Sequence, residues 1–446
     1  MVIREHIHLI GIGGVSMSAI AQILINNGIK VSGSDTTMSA GIRQLMNLGA
    51  DVSLSHDAKN IQGATLVVYT AAIAQANVEL VAARSNGIPC VERAVFLGQL
   101  MSEYSVPIAV SGTHGKTTTT SMLACILLKA NMDPTIMVGG NLKEINGNLH
   151  IGSKKCLVFE ACEYVDSFLS FNPKIAIVLN LEPDHLDYFR DVEHIKSSFR
   201  KFMGKVPVDG FCVINEKEPN VMDAAKGITQ RIVSYGTEQS DYYAANIDFN
   251  TFDIFCRGEK LGRIRLNVKG LHNISNSVAA FATAHTMGIE LNAIIQGLEW
   301  FSGTERRFEY KGKLKDADIY DDYAHHPTEI EASLKTALSM PHNRVWCVFQ
   351  PHTYTRTRAL EKEFILALSK ADRLIMAPIY AARENPIEGV TSEKIAKNVE
   401  NAIYFEDMEK IADHVRDNIQ DGDLVITMGA GDIWKVGEML LGKKLA

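Results

Sequence analysis

Short apolar runs with β-branched residues alternate with longer helical patterns along most of the chain. IHLIGI, KVSGSD and TLVVYTAA read as strands in the first hundred residues, each followed by a helix or loop. A second unit starts near PIAVSG at residue 107 and carries strands at CLVFEA, IAIVLNL and FCVIN. Between about 232 and 270 the apolar positions alternate in patches such as FDIFCRG and GRIRLNVKG, which predicts hairpins beside the main sheet. A helix follows over HNISNSVAAFATAHTMG. After FSGTERRFEYKG a third unit has strands at ADIYDDYAHH, RVWCVFQ, DRLIMAPIY, AIYFE and DLVITMG. Strands alternating with helices predict a parallel α/β architecture. The seams fall near 103 and 308, dividing the chain into 1–103, 104–307 and 308–446.

Composition narrows the function without choosing it. The 446 residues suffice for about three domains of common size. A net charge of −7 argues against nucleic acid or an acidic membrane surface as partner. The seven cysteines form no CxxC pair, so neither a zinc site nor a disulfide framework is expected. No apolar run approaches the roughly 18–20 residues of a membrane span. The first residues, MVIREHIHLIGIGG, enter a strand directly and lack the order of a signal peptide, so the expected location is the cytoplasm.

The chemistry lies in four stretches. AVSGTHGKTTTTSML places Gly112, Gly115, Lys116 and Thr117 after a strand and at the start of a helix. Glycines let the backbone turn tightly so that N–H groups point at phosphate oxygens. Lys116 would add a charge to the β/γ-phosphates, and the Thr117 hydroxyl suits Mg²⁺. Val110 occupies the first glycine position of the full GxxxxGK[ST] pattern, and a threonine-rich helix start is the bland alternative. Glu160 and Glu163 follow a strand in CLVFEACEYVDSF; Glu182, Asp184, His185 and Asp187 follow another in IAIVLNLEPDHLDYF. Parallel strands gather such tips along one edge, so Thr117, Glu160 and His185 are expected around a cation. Helix capping is the alternative for each acid taken alone. At the N-terminus, Gly11, Gly13 and Gly14 with Asp35 resemble a dinucleotide fingerprint, but Ser16 stands where the third glycine belongs. Any diphosphate fits such a turn.

The stretches HLIGIGGVSMSAIA, SGTHGKTTT, EACEYVDSFL, NLEPDHLDYF, GLHNISNS, ERRFE, DDYAHHPTEI, FQPHTYTRT and MGAGDIW together resemble the Mur ligases, ATP-dependent amide-bond-forming enzymes of peptidoglycan precursor synthesis. The resemblance covers essentially the whole chain. It implies an α/β protein of three domains: a Rossmann-like UDP-sugar domain, a central P-loop ATPase domain with a parallel sheet and a small β-rich part, and a Rossmann-like amino-acid domain. It further implies ATP and Mg²⁺, with UDP-N-acetylmuramate and L-alanine as small-molecule substrates joined through an acyl phosphate. Oligomeric state stays open.

Residue by residue, the resemblance assigns Lys116, Glu160 and His185 to catalysis and Thr117, Glu160 and His185 to Mg²⁺. It assigns Gly112, Thr113, His114, Gly115, Lys116, Thr117, Thr118, Asn273, Asn276, Arg307 and Asp322 to ATP. Gly11, Gly13, Gly14, Ser34, Asp35 and Thr70 fall to the UDP-sugar, and His325, His352 and Arg356 to the amino acid. Cys162 replaces an aspartate usual in the EADE motif, and Thr353 an arginine common after the histidine, which puts more of the amino-acid anchoring on Arg356. Three rivals stand beside this reading. One is an NAD-dependent oxidoreductase, another a binding protein without turnover, and the third a recycling ligase that attaches a peptide to the same UDP-sugar.

Overall fold

A computed structural model describes residues 5–185 and 188–443. Asp187, one of the candidate acids, lies outside the described residues. The described chain forms three sheets. In the first, the strand His6–Ile10 lies between Lys30–Ser34 and Leu66–Tyr69, with Asp51–Ser53 and Cys90–Glu92 at the edges, all parallel. The central strand is buried along its whole length, as an apolar run covered on both faces requires.

The second sheet is built around Val106–Ser111, flanked by Cys156–Glu160 on one side and Ile175–Val178 on the other. The chain leaves Val106–Ser111 toward Thr135–Leu142 on the Cys156–Glu160 side and leaves Ile175–Val178 toward Phe211–Asn215 on the other, so the C-terminal ends of these two neighbours mark a topological switch point, where α/β sheets open a crevice. The helix Lys116–Lys129 rises from that end and is buried from Thr117 to Leu127, so it is a core helix despite four consecutive threonines.

The alternating segments after residue 240 do not stand beside the main sheet as separate hairpins. They continue it: Tyr242 pairs with Tyr235, and the strands Tyr242–Asp248, Thr251–Cys256 and Glu259–Arg265 extend the same ten-stranded sheet. The junction is narrow: Tyr235↔Tyr242 is the single strand pair between Ile232–Tyr235 and this extension, with Gly236 N donating to Tyr242 O at 2.9 Å. The sequence reading also omitted Thr135–Leu142 and Gly147–His150 on the opposite edge, where two glycines and an asparagine interrupt the apolar pattern.

The third sheet runs in the order Glu309–Leu314, Ala317–Asp322, Leu424–Met428, Val345–Phe349, Arg373–Met376 and Ala402–Tyr404, parallel except for its first pair. VWCVF and LVITM are buried throughout. The tips after Asp322 and Phe349 face the central unit, and the contacts between them form the site.

Candidate active site

The loop after Val106–Ser111 is shaped by two glycines in the left-handed region, Gly112 at φ +138° and Gly115 at φ +83°. A Cβ on Gly115 would stand 2.6 Å from the Asn276 side-chain oxygen, so no other residue fits that turn. Asn180, at the end of the neighbouring strand, brackets the loop: its Oδ1 accepts from His114 N at 2.8 Å and its Nδ2 donates to His114 O at 3.1 Å. Thr113 Oγ1 accepts from Glu182 N at 2.9 Å. Lys116 Nζ donates to Thr113 O at 3.2 Å and to Glu163 Oε2 at 3.1 Å. Burial alone would depress the ammonium pKa; Glu163 and Glu160 reverse that and hold it above the usual lysine range.

Thr117 Oγ1 donates to Glu160 Oε2 at 3.0 Å, and Arg307 Nη2 donates to Thr117 Oγ1 at 3.4 Å. Glu160 also accepts from Gly139 N. A hydroxyl and a carboxylate oxygen side by side form a donor set that fits a hard divalent cation such as Mg²⁺. His185 is placed differently. It takes φ +53°, its N–H donates to Asp184 Oδ1 at 2.8 Å, and its ring leans on Tyr164 with centroids 4.6 Å apart. Among the described residues no hydrogen bond or ion pair joins it to Thr117 or Glu160.

Beside the loop a cavity of about 280 Å³ is lined by Gly115, Thr118, Asn273, Asn276, Arg307 and Asp322, together with Tyr235, Phe301 and Phe308. Helix capping does not account for the two asparagines. The helix Leu271–Thr286 is capped by Gly270, Asn273 Nδ2 donates back to Lys269 O, and Asn276 is directed to Asn273 and Gly115. Asp322 forms a buried wall, accepting from Ser333 Oγ at 2.5 Å and Ala324 N at 3.1 Å; burial pushes its carboxyl up to about 6.

His114 connects the loop to the third unit. Its Nδ1 lies 3.0 Å from Glu329 Oε1 and its Nε2 3.4 Å from Glu182 Oε2, while Thr328 Oγ1 donates to Glu182 Oε2 at 2.6 Å. Burial opposes charging, but Glu329 and Glu182 outweigh it and raise the imidazole to about 9. His114, Glu182 and His326 have the spacing of a metal cluster. The two carboxylates facing His114 favour its protonated ring, which donates rather than ligates.

The expected amino-acid residues also meet. Arg356 donates through Nε and Nη2 to Asp184 Oδ1 at 3.3 and 3.0 Å, and through Nη1 to His352 O at 2.8 Å. His352 stacks on Tyr380 at 5.7 Å and lies 6.0 Å from His325. Burial lowers His325 to about 4, so its ring is neutral; Nδ1 sits 2.9 Å from Tyr323 O. Thr353 and Thr355 both bond Glu384, at 2.7 Å from Thr353 Oγ1 and 2.8 Å from Thr355 N.

In the first unit Gly11 takes φ +81°, and Gly11 N and Ile12 N donate to Ser34 O at 2.8 and 3.1 Å. Gly14 N turns back to Gly11 O. Asp35 Oδ2 accepts from Gly13 N at 2.9 Å, which commits this carboxylate to the turn rather than to a ribose and weakens the nicotinamide reading. Thr70 Cγ2 lies against the open side of Gly11. Ser34 differs from the expectation. Its side chain is buried and donates inward to Glu79 Oε2 at 2.6 Å, so only its carbonyl serves the turn. Glu79, which sequence reading passed over, also holds Asn60 at 2.6 Å and His56 at 3.1 Å.

Asn180, Tyr235, Phe301 and Glu329 were likewise not singled out. Only Glu329 left a local signal: it stands three residues after His326 at a helix start and completes a capping box.

Family models match the chain in three successive segments: the catalytic domain of the Mur ligase family at residues 6–105, the Mur ligase middle domain at 110–284 and the Mur ligase glutamate ligase domain at 306–431. The UDP-N-acetylmuramate–L-alanine ligase of Alkaliphilus metalliredigens is 46% identical over 450 residues, covering 99% of this chain and 98% of that protein. That of Acetivibrio thermocellus is 48% identical, covering 99% and 96%. Among solved structures, the UDP-N-acetylmuramate–alanine ligase from Thermotoga maritima superposes with a TM-score of 0.82 at 27% identity, covering 98% of both chains. A murein peptide ligase from Psychrobacter arcticus gives 0.72 at 25% identity, covering 99% of this chain and 100% of that one.

Proposed function

The chain belongs to the Mur ligase family, and from that premise we propose that it is an ATP-dependent ligase joining L-alanine to the lactyl carboxylate of UDP-N-acetylmuramate. The products are UDP-N-acetylmuramoyl-L-alanine, ADP and phosphate. Full-length identity to alanine-adding ligases is the observation that carries this reading.

A carboxylate resists attack by an amine because its leaving group would be oxide. Transfer of the γ-phosphoryl group makes an acyl phosphate, from which the amine of alanine displaces phosphate. In this chain the N–H groups of the Gly112–Gly115 loop and Lys116 hold the phosphates, with Lys116 exchanging Glu163 for phosphate oxygen. Asn276 and Asn273 take the base in the cavity beside Gly115, and Arg307 brings charge from the seam with the third unit. Thr117 and Glu160 would hold Mg²⁺, with His185 the candidate for a second ion; bound there, Mg²⁺ neutralises charge on the transferring group. Arg356 anchors the alanine carboxylate beside Asp184, and neutral His325 and His352 flank the amine. His114, bonded to Glu182 and Glu329, holds the third unit against the phosphate loop, which keeps water from the acyl phosphate.

Among the described residues no helix is long and apolar enough to cross a membrane. The cytoplasm, where ATP and nucleotide sugars are available, is part of the same proposal.

The test is competition. With ATP and UDP-N-acetylmuramate supplied, L-alanine, glycine, L-serine and a muramyl-type tripeptide compete for incorporation, read by product mass. L-Alanine is expected to dominate, with discrimination against glycine of roughly 10- to 100-fold for one methyl group. Preferential incorporation of the tripeptide would support the recycling reading, which the fold shared with a murein peptide ligase keeps in play.

A further inference from the structure

Inside the first unit, a polar network that the proposed reaction leaves unused is centred on Glu79, whose side chain is fully buried. Its Oε1 accepts from Asn60 Nδ2 at 2.6 Å and its Oε2 from Ser34 Oγ at 2.6 Å. Oε2 also lies 3.1 Å from His56 Nδ1 and 3.8 Å from Nε2 of His8, which is equally buried. His8 continues the network inward: its Nδ1 is 2.9 Å from Ser32 Oγ, which lies 2.8 Å from His6 Nε2. Among the described residues no lysine or arginine pairs with Glu79. Burial would raise the carboxyl, but the His8 ring and the bonds from Ser34, Asn60 and His56 outweigh it and hold it down to about 2. The group is therefore charged at neutral pH. It stands in the first turn of the helix Val78–Ser85, capped by Asn77, where the helix dipole favours a negative charge.

We propose that Glu79 is a positioning residue for the nucleotide sugar: by holding the Ser34 hydroxyl it fixes the strand tip that shapes the glycine turn, and so sets the affinity for the carrier without touching it. This rests on the function proposed above. The Ser34 carbonyl accepts from Gly11 N and Ile12 N, and the next residue, Asp35, accepts from Gly13 N. A rotation of this tip moves all three N–H groups together. Asp35 N in turn donates to Ser53 O at 3.0 Å, and the loop that follows Ser53 returns His56 and Asn60 to the same carboxylate. Strand tip, loop and helix thus converge on one buried charge. A hydrophobic side chain would fill the space without desolvating a charge, so the carboxylate contributes orientation rather than burial energy.

The experiment measures UDP affinity by calorimetry, KM for each of the three substrates and a thermal melt in wild type, E79Q, S34A and the double variant. E79Q keeps the volume and removes the charge; it is expected to weaken UDP and raise KM for UDP-N-acetylmuramate about tenfold. S34A keeps the carbonyl and loses the tether, so a loss of about threefold is expected. KM for ATP and alanine should stay within about twofold in both, since those sites share no partner with the network. The double variant should bind UDP about as E79Q does, because the hydroxyl acts only through the carboxylate. A double variant weakened about thirtyfold, the product of the two single effects, overturns the proposal. So does a lower melting temperature with UDP affinity unchanged, which marks a purely structural role. If E79Q does not fold, S34A decides, and unchanged UDP affinity there overturns the proposal. Wild type that binds no UDP overturns it together with the carrier reading. If wild type binds UDP and makes no amide, the proposed reaction fails, while UDP affinity still decides on Glu79.

Discussion

Thr117 and Glu160 approach within 3.0 Å, hydroxyl to carboxylate, although 43 residues separate them in the chain. The contact follows from strand order: Val106–Ser111 and Cys156–Glu160 pair in parallel with Val110 opposite Glu160, so the helix that rises from the first strand meets the tip of the second. Replacing Glu160 with Gln keeps the size and loses the charge. Turnover is expected to fall at least about a hundredfold with the fold intact, and the Mg²⁺ concentration for half-maximal activity should rise. A Mg²⁺ titration of activity beside a thermal melt checks both; an unchanged titration would remove Glu160 from the metal assignment.

Gly115 tests the phosphate loop through its backbone. At φ +83°, with Asn276 Oδ1 2.6 Å from where a Cβ would sit, alanine is both strained and obstructed. Gly115→Ala should cost roughly 1–3 kcal/mol of stability. KM for ATP should rise by more than KM for either other substrate. Calorimetric unfolding and steady-state kinetics give the two numbers.

His114 makes the docking of the third unit depend on pH. Its folded pKa is about 9, against an ordinary 6.5, because Glu329 and Glu182 overcome the burial that would lower it. The folded state therefore binds this proton more tightly than the unfolded chain. The resulting stability, up to ~3 kcal/mol, is fully present below pH 6.5 and is lost as pH rises through about 9. Wild type should lose melting temperature between pH 7 and 9.5. His114→Gln should start lower and change less over that window. Parallel slopes in the two proteins would contradict the assignment.

Arg356 and Asp184 carry a prediction about the acceptor. The guanidinium bonds Asp184 Oδ1 through two nitrogens, and the carboxylate of alanine is expected to join or displace that contact. Arg356→Ala should raise KM for alanine about 10- to 100-fold while leaving KM for ATP nearly unchanged. Arg356→Lys should restore only part, lacking the planar fork.

The phosphate loop was legible because its chemistry is local: two glycines, a lysine and a threonine in sequence after an apolar strand. The three-sheet layout was legible for the same reason, since fully buried parallel strands leave uninterrupted apolar runs such as VWCVF and LVITM. What escaped was decided by topology. Asn180 brackets His114 across 66 residues and Glu329 reaches it across 215, and neither spacing leaves a pattern to read. Ser34 illustrates the opposite situation. The resemblance assigned this serine to the UDP-sugar, yet which way its side chain points depends on Glu79, a buried acid on a distant helix that resembles an ordinary solvated one. His185 lies between these cases, its strand placed as expected and its ring turned onto Tyr164.

Oxygen tracing tests the proposed chemistry most directly. UDP-N-acetylmuramate labelled with ¹⁸O in its lactyl carboxylate is incubated with ATP, L-alanine and the enzyme, and the released phosphate is analysed by mass. One ¹⁸O is expected in each phosphate, because the carboxylate oxygen that receives the phosphoryl group leaves with it when alanine attacks. Unlabelled phosphate accompanying amide formation would show that ATP does not activate this carboxylate, and would contradict the central claim.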